Sequence, residues 1–333
     1  MRVVITDCDH GFFEPERFVI ESAGHELVIA HCRLTDEVSN IAFDADALIC
    51  QSVPITYDLL KSLPRCKVVG RYGVGIDNID VSGATTLGVK VVNVPDFCSE
   101  EVASHTLGLI LSLARQIVIL NDRLKRDPEY FSRFWTNRMS SISCIERLSK
   151  QVLGIIGFGK IGRLVGTWAK ELGFMIMVYD PYISDEIVVR QGMRFVSLDT
   201  LLKQADIVSL HIPLNSETCG MIGPKELAKM KPTAYLVNTS RGAVIKESAL
   251  IEALQRQKVA GAALDVLEEE PFPADHPFFR MENVLLTPHI AYYSRTSIVE
   301  LKTRVAQYVL NALTDSGFYP LANAEVQHAR GSL

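Results

Sequence analysis

The stretch Leu153-Gly-Ile-Ile-Gly157-Phe-Gly159-Lys160-Ile161-Gly162-Arg163 leaves an apolar strand and enters a helix through three glycines spaced GxGxxG. Each glycine has a separate duty in a dinucleotide fold. Gly157 permits a tight turn, Gly159 lets backbone approach a pyrophosphate, and Gly162 lets helix and strand pack closely. Unpaired N–H groups and the positive dipole end at the helix start then favour phosphate. A glycine-rich turn alone is weak evidence, but its surroundings fit. The next strand, Met175–Tyr179, ends at Asp180, 18 residues beyond Gly162. A carboxylate there accepts hydrogen bonds from an adenosine ribose, although a turn residue before Pro181 could fill the same position. Asp180 also repels a 2'-phosphate, and no arginine follows in Pro181–Ser184. The expected cofactor is NAD.

Outward from this turn the same rhythm continues in both directions. Val152–Ile156, Met175–Tyr179, Ile207–His211, Ala234–Val237, Ala260–Leu264 and Val284–Leu286 read as strands, with helical segments between them. An earlier series comprises Arg2–Thr6, Glu26–Ala30, Asp46–Cys50, Lys67–Gly70 and Lys90–Asn93. Thr56 and Asp80 stand at the starts of helices running to Leu63 and Leu87. Such alternation implies right-handed βαβ units and parallel sheets. Ser99–Leu124 reads as one long helix, with Val102, Thr106, Leu109, Leu113, Ile117 and Leu120 at helical spacing and Ser99 as N-cap. Residues 122–150 are polar and weakly periodic, and Ser294–Leu313 reads as a final helix.

A chain of 333 residues is long for a single core. The expected fold is α/β with two doubly wound parallel-sheet domains. Residues 99–289 form the Rossmann cofactor domain. Residues 1–98 and 290–333 form the smaller domain, and an active-site cleft lies between the two.

A net charge of −5 gives no general attraction to nucleic acid or an anionic membrane. The basic cluster Arg123-Leu-Lys125-Arg126 has acidic neighbours and reads as a solvated helix face. Apolar runs fall short of the roughly 20 residues of a membrane span. The opening Met1–Thr6 reads as a strand rather than a signal peptide. Seven scattered cysteines without a CxxC pair show no zinc or disulfide framework. A cytoplasmic protein without nucleic-acid, membrane or metal partners is expected.

Polar residues stand just beyond three later strands. Arg241 follows Ala234–Val237 in Asn238-Thr239-Ser240-Arg241-Gly242, Asp265–Pro271 follows Ala260–Leu264, and His289 follows Val284–Leu286. Singly, a strand-end arginine or histidine is more often structural. Three together, in a fold whose ligands bind beyond the strands' carboxyl ends, point to catalysis. A guanidinium can grip carboxylate and carbonyl oxygens bidentately. An imidazolium can protonate a forming alkoxide and recover the proton in the reverse direction. A carboxylate touching the imidazole favours its charged form.

These stretches, with Gly70-Arg-Tyr72-Gly-Val74-Gly75-Ile-Asp-Asn-Ile-Asp80, resemble the NAD-dependent D-isomer-specific 2-hydroxyacid dehydrogenases in order and spacing over nearly the whole chain. The resemblance implies that Arg241 binds the substrate carboxylate and carbonyl, His289 exchanges the proton, and Glu270 pairs with His289. It implies a flavodoxin-like substrate domain, with the backbone of Val74 and Gly75 holding the substrate carboxylate. Gly157, Gly159, Lys160, Ile161, Gly162, Asp180, Thr239, Ser240, Arg241 and Asp265 match cofactor-contacting positions, with Asp265 facing the nicotinamide. Glu268 and Glu269 are expected to be solvated neighbours. The long helix and the arm after it, at about 99–150, imply a homodimer.

Two departures bear on the substrate. The family usually continues the histidine with a small residue and two glycines, where this chain has Ile290-Ala291-Tyr292-Tyr293-Ser294. An aromatic at Tyr292 resembles the C-terminal binding protein branch and makes Tyr292 a candidate pocket wall, with Tyr293 expected in the core. The loop Cys50-Gln-Ser52-Val-Pro54 lacks the arginine usual in phosphoglycerate dehydrogenases. The expected substrate is therefore a small or aromatic 2-hydroxy/2-keto acid, its selectivity set by Ser52 and the rest of Gln51–Thr56, with Tyr72 and Tyr292. The alternatives are D-3-phosphoglycerate dehydrogenase and an NAD(H)-sensing, corepressor-like interaction protein.

Overall fold

The computed structural model describes residues 1–136 and 145–326. Cys144 and residues 137–144 of the expected dimerisation arm lie outside the described residues, as do 327–333. Two compact units emerge, Met1–Phe97 with Ser294–Leu333, and Cys98–Tyr293. The boundaries differ from the sequence reading at both crossings. Residues 290–293, expected in the first domain, belong to the second unit. The Ile290 and Ala291 amides donate to the Asp265 carboxylate at 3.0 Å each, which ties this turn to the second sheet.

In the first unit, β1 (Arg2–Ile5), β2 (Glu26–Ile29), β3 (Ala47–Cys50), β4 (Val68–Arg71) and β5 (Lys90–Val92) form a parallel sheet in the order β2-β1-β3-β4-β5. This is the flavodoxin-like order. All four residues of β3 are fully buried, as expected for a strand covered on both faces. Helices Glu14–Ser22 and Arg295–Thr314 pack together, and the latter lies against β3, β4 and β5. A Cβ at Gly70 would come within 2.5 Å of Val309 Cγ2, so glycine lets the last helix sit directly on β4. Thr56, Asp80 and Ser294 cap their helices, accepting from the amides of Leu59, Gly83 and Ser297.

The second unit contains β6 (Val152–Ile156), β7 (Met175–Tyr179), β8 (Arg194–Phe195), β9 (Ile207–Leu210), β10 (Tyr235–Asn238), β11 (Gly261–Leu264) and β12 (Val284–Leu286). Their order is β12-β11-β10-β9-β6-β7-β8, all parallel. This is the six-stranded dinucleotide-binding order extended by β12, and the winding reverses between β6 and β9. Two apolar clusters make up its core, one centred on Ile156, Leu236 and Phe278, the other on Ile110, Phe158 and Val237.

The expected long helix is two. Ser99–Ala114 ends at Arg115, and Gln116 takes a left-handed conformation with φ 52° before Ile117–Arg126 begins. The two axes are bent by 60°. The first helix buries eight residues in the core, whereas the second buries none, and Ile117 is 56% exposed. The N-cap is Cys98 rather than Ser99. Among the described residues no single helix is long and apolar enough to cross a membrane.

Candidate functional site

The second unit carries its glycine turn at the reversal point. Gly157 has φ 90°, and a Cβ there would lie 2.4 Å from the His211 carbonyl oxygen on the neighbouring strand end. A Cβ at Gly162 would collide with the Gly157 carbonyl at 2.1 Å. Both glycines are demanded by the protein itself. Gly159 differs, since a Cβ there meets nothing within 4 Å. Its small size leaves a smooth approach to backbone at the N-terminus of Lys160–Glu171, a helix without a side-chain cap. These residues fit a bound pyrophosphate.

Asp180 is only 9% exposed. Its Oδ2 accepts from the Phe158 amide at 2.7 Å and its Oδ1 from Tyr182 N at 2.9 Å. The same carboxylate therefore braces the glycine turn. An ionised carboxylate has about four acceptor positions, so two bonds leave capacity for ribose hydroxyls. Lys160 is exposed at the first helical turn, and Ile161 packs partly against the core.

His211 sits across the turn with Nε2 2.9 Å from Ser209 Oγ. Desolvation drives its imidazole down to about 4 from an ordinary 6.5. On acidification the unfolded chain takes this proton first, near pH 6.5, while the folded chain resists until about pH 4. Stability should therefore fall as pH drops through that window, by on the order of 3 kcal/mol from this group. Unfolding free energy measured against pH should show the loss, and His211→Gln should flatten it. An unchanged slope in the variant would remove His211 as the cause.

The strand-end residues beyond β10, β11 and β12 converge. Fully buried Asn238 braces the loop after β10, its Nδ2 donating to the Arg241 carbonyl at 2.8 Å and its Oδ1 accepting from Ser240 N and Oγ. Thr239 Oγ1 meets Thr106 Oγ1 of the helix Ser99–Ala114 at 2.8 Å. A Cβ at Gly242 would lie 1.8 Å from the Leu267 carbonyl, which presses this loop onto the one carrying Glu270. Arg241 is half-buried, and its guanidinium donates to the Ser240 carbonyl at 2.8 Å.

His289 Nδ1 lies 2.6 Å from Glu270 Oε2, and both side chains are partly exposed, at 44% and 34%. Glu270 Oε1 accepts from Leu267 N at 3.1 Å. Burial opposes ionisation of Glu270, but the bond and charge of His289, the Leu267 amide and the Arg241 charge outweigh it and hold the carboxyl below its ordinary value. His289 adopts φ 50°, its amide donating to the Asp265 carbonyl at 2.8 Å and the Thr287 carbonyl at 3.1 Å. The Tyr292 ring stands edge-on to the imidazole, 6.1 Å away at 84°.

Asp265 has a larger structural task than its sequence position suggests. It is 3% exposed, and its Oδ1 accepts from Thr287 Oγ1 at 2.6 Å as well as from Ile290 N. Its Oδ2 accepts from Ala291 N. The carboxylate thus holds the turn that presents His289. Thr287 is also bonded by His105 Nε2 at 3.1 Å. Sequence reasoning missed His105, Thr106, Asn238 and Thr287 in these roles. Only Asn238 and Thr287 offered a signal, being next to Arg241 and His289. Glu268 is exposed, and its carboxylate and that of Glu247 each accept the other's backbone amide. Tyr293, expected in the core, is 51% exposed.

In the first unit, Asp7 gathers the loop after β3, accepting from the amides of Gln51, Ser52 and Val53. Ser52 is exposed, with its amide bound to Asp7 at 2.6 Å. The loop after β4 has its carbonyls bonded inward. Arg71 donates to the Tyr72 carbonyl, Val94 N to Gly73, and Asn93 Nδ2 to Val74. Among the described residues, the Val74 and Gly75 amides donate to no protein acceptor. Tyr72, expected among the residues that set substrate selectivity, is 3% exposed and turned into its own unit.

A model of the D-isomer-specific 2-hydroxyacid dehydrogenase NAD-binding domain matches residues 107–291. A D-3-phosphoglycerate dehydrogenase of Methanocaldococcus jannaschii is 39% identical over 315 residues, covering 94% of this chain and 57% of that protein. A glyoxylate reductase of Korarchaeum cryptofilum is 39% identical over 271 residues, covering 81% of this chain and 79% of that protein. The chain therefore spans little more than half the length of the first relative and about four-fifths of the second. The crystal structure of a D-lactate dehydrogenase from Aquifex aeolicus, complexed with NAD and lactic acid, superposes with a TM-score of 0.82 at 28% identity, covering 98% of both chains.

Proposed function

The chain belongs to the D-isomer-specific 2-hydroxyacid dehydrogenase family, and from that premise we propose that it interconverts a small 2-hydroxy acid and its 2-keto acid with NAD. The observation that carries this reading is the 2.6 Å His289–Glu270 contact beside the Arg241 loop, on the sheet that bears the glycine turn.

Bound NAD(H) supplies the hydride donor or acceptor. The protein's residues do the rest. The helix start at Gly159–Lys160 takes the pyrophosphate, Asp180 the adenosine ribose, and the Ile161, Thr239, Ser240 and Asp265 positions line the cofactor. The Arg241 guanidinium grips the substrate carboxylate and carbonyl oxygens, fixing the carbonyl face. His289 Nε2 donates a proton to the alkoxide oxygen during reduction and takes it back during oxidation, while Glu270 on Nδ1 balances the imidazolium charge. The open amides of Val74 and Gly75 take the substrate carboxylate, and Ser52 and Tyr292 shape the space for its side chain.

Arg241→Lys should lower kcat/KM by on the order of a hundredfold, because an ammonium cannot reproduce the planar two-point grip. Steady-state kinetics would check this, and a loss under about threefold would remove the bidentate role.

The function itself is tested with NADH and NADPH in parallel against hydroxypyruvate, glyoxylate, pyruvate and phenylpyruvate. Loss of NADH absorbance with at least one is expected. No turnover by protein shown to bind NADH would overturn the proposal, and an NADH-dependent protein complex found in its place would favour a sensing role. The loop Cys50–Pro54 holds no cation for a phosphate, which weighs against 3-phosphoglycerate.

A homodimer and a cytoplasmic setting complete the proposal. Supporting the dimer, helices Ile117–Arg126 and Tyr130–Thr136 bury none of their residues, and the stacked rings of Phe131 and Trp135 are 56% and 61% exposed.

A further inference from the structure

The first unit encloses an ion pair that the chemistry above does not use. Lys302, from the helix Arg295–Thr314, places Nζ 2.8 Å from Glu16 Oε1, of the helix Glu14–Ser22, and both side chains are 0% exposed. The Tyr72 hydroxyl donates to the same Glu16 oxygen at 2.5 Å. Around the ammonium lie the Cys8 sulfur at 3.4 Å and the rings of Phe13, Phe12 and Tyr72, with centroids 4.5, 4.9 and 5.3 Å away. Among the described residues Glu16 Oε2 has no hydrogen-bond partner.

Such a pair is a poor device for stability. Desolvating two charges is costly, and apolar residues of similar volume often serve as well or better. What the pair does supply is a fixed, charged acceptor for one phenol. Tyr72 immediately precedes Gly73, Val74 and Gly75, and its amide is fixed by the Cys50 carbonyl at 2.9 Å. Gly73 takes φ 138°, and a Cβ there would collide with the Arg71 guanidinium. The loop is therefore strung between a phenol locked to Glu16 on one side and the Asn93 and Val94 donors on the other.

We infer that Lys302, Glu16 and Tyr72 form a buried positioning chain that holds the Val74 and Gly75 amides in place and so sets the affinity for the keto acid's carboxylate. This rests on the reading of those amides as the carboxylate's receptors. None of the three residues is a catalytic residue, since each acts through the loop.

Two variants test the chain. Tyr72→Phe deletes only the hydroxyl. The double variant Glu16→Leu with Lys302→Met deletes both charges together at similar volume, avoiding a lone buried ion. Each should raise KM for the keto acid about tenfold, the size expected for one lost hydrogen bond to a charged group. Both kcat and NADH affinity should stay within about threefold. The loop-bonded Gly73 and Val94 amides should exchange with deuterium faster in both variants. A merely structural role would lower the melting temperature while leaving KM and exchange at Gly73 and Val94 unchanged, and that result would overturn the inference. If wild-type protein turns over no keto acid, the proposed function fails on its own, and amide exchange then decides whether the chain holds the loop.

Discussion

Replacing His289 with asparagine should reduce keto-acid turnover by on the order of a thousandfold while leaving NADH affinity within about twofold. Asparagine keeps a hydrogen-bonding side chain at the site but cannot exchange a proton with an alkoxide near neutral pH. Glu270, held below its ordinary value chiefly against burial by its bond to His289, is charged there and ready to face an imidazolium. The stability this pairing contributes is present above the ordinary carboxylate range and is lost as pH falls through the depressed value. NADH titration by fluorescence, alongside single-turnover rates, would separate the two effects. Turnover within tenfold of wild type would take His289 out of the proton transfer.

Asp265→Ala should be nearly as damaging by another route. It removes the acceptor of Thr287 Oγ1, Ile290 N and Ala291 N from a site where the carboxylate is 3% exposed. Each buried donor left without a partner costs about 1–3 kcal/mol. The expected loss is roughly 4 kcal/mol of folding free energy, a large share of the 5–15 typical of a domain. Because the same turn presents His289, kcat should fall at least about tenfold even where the variant remains folded. Asp265→Asn, which keeps one acceptor oxygen, should lose about half as much stability. Denaturant unfolding and kcat on both variants would check this, and a stable, fully active Asp265→Ala would show that the turn holds itself.

What could be seen beforehand was local. The strand–glycine–helix signature at Val152–Gly162 needs only neighbours in sequence, and the same is true of Arg241, Glu270 and His289, each within a few residues of a strand end. What could not be seen depends on distant partners or on a break that preserves phase. The turn-holding role of Asp265 was hidden because nothing in its neighbourhood announces the turn 22–26 residues on that it binds. The phenol of Tyr72 finds Glu16 across 56 residues and Lys302 lies farther still, so a tyrosine beside a glycine loop read only as a residue that sets selectivity. At Gln116 the helix turns by 60° without glycine or proline, while apolar spacing continues in register through Ile117 and Leu120. Periodicity reports which residues share a face of a helix, not whether that helix is continuous. Tyr293, expected in the core, instead stands exposed in a short turn whose buried residue is Ala291.

The crossings at Phe97–Cys98 and Tyr293–Ser294 carry a consequence for how the chain acquires its structure. The second unit is one uninterrupted stretch, so every strand of its sheet has emerged by the time Leu286 is made. The first unit is written in two instalments. Its five strands are complete at Val92, yet the helix that seals Gly70 against Val305 and Val309 and delivers the Lys302 ammonium to Glu16 is synthesised some two hundred residues later. Until then one face of that sheet and the Glu16 carboxylate have no final partner from this helix. Growing from its N-terminus, the chain should therefore finish the inserted unit first and the enclosing one last. The Tyr72 anchor would be among the last parts of the protein to set.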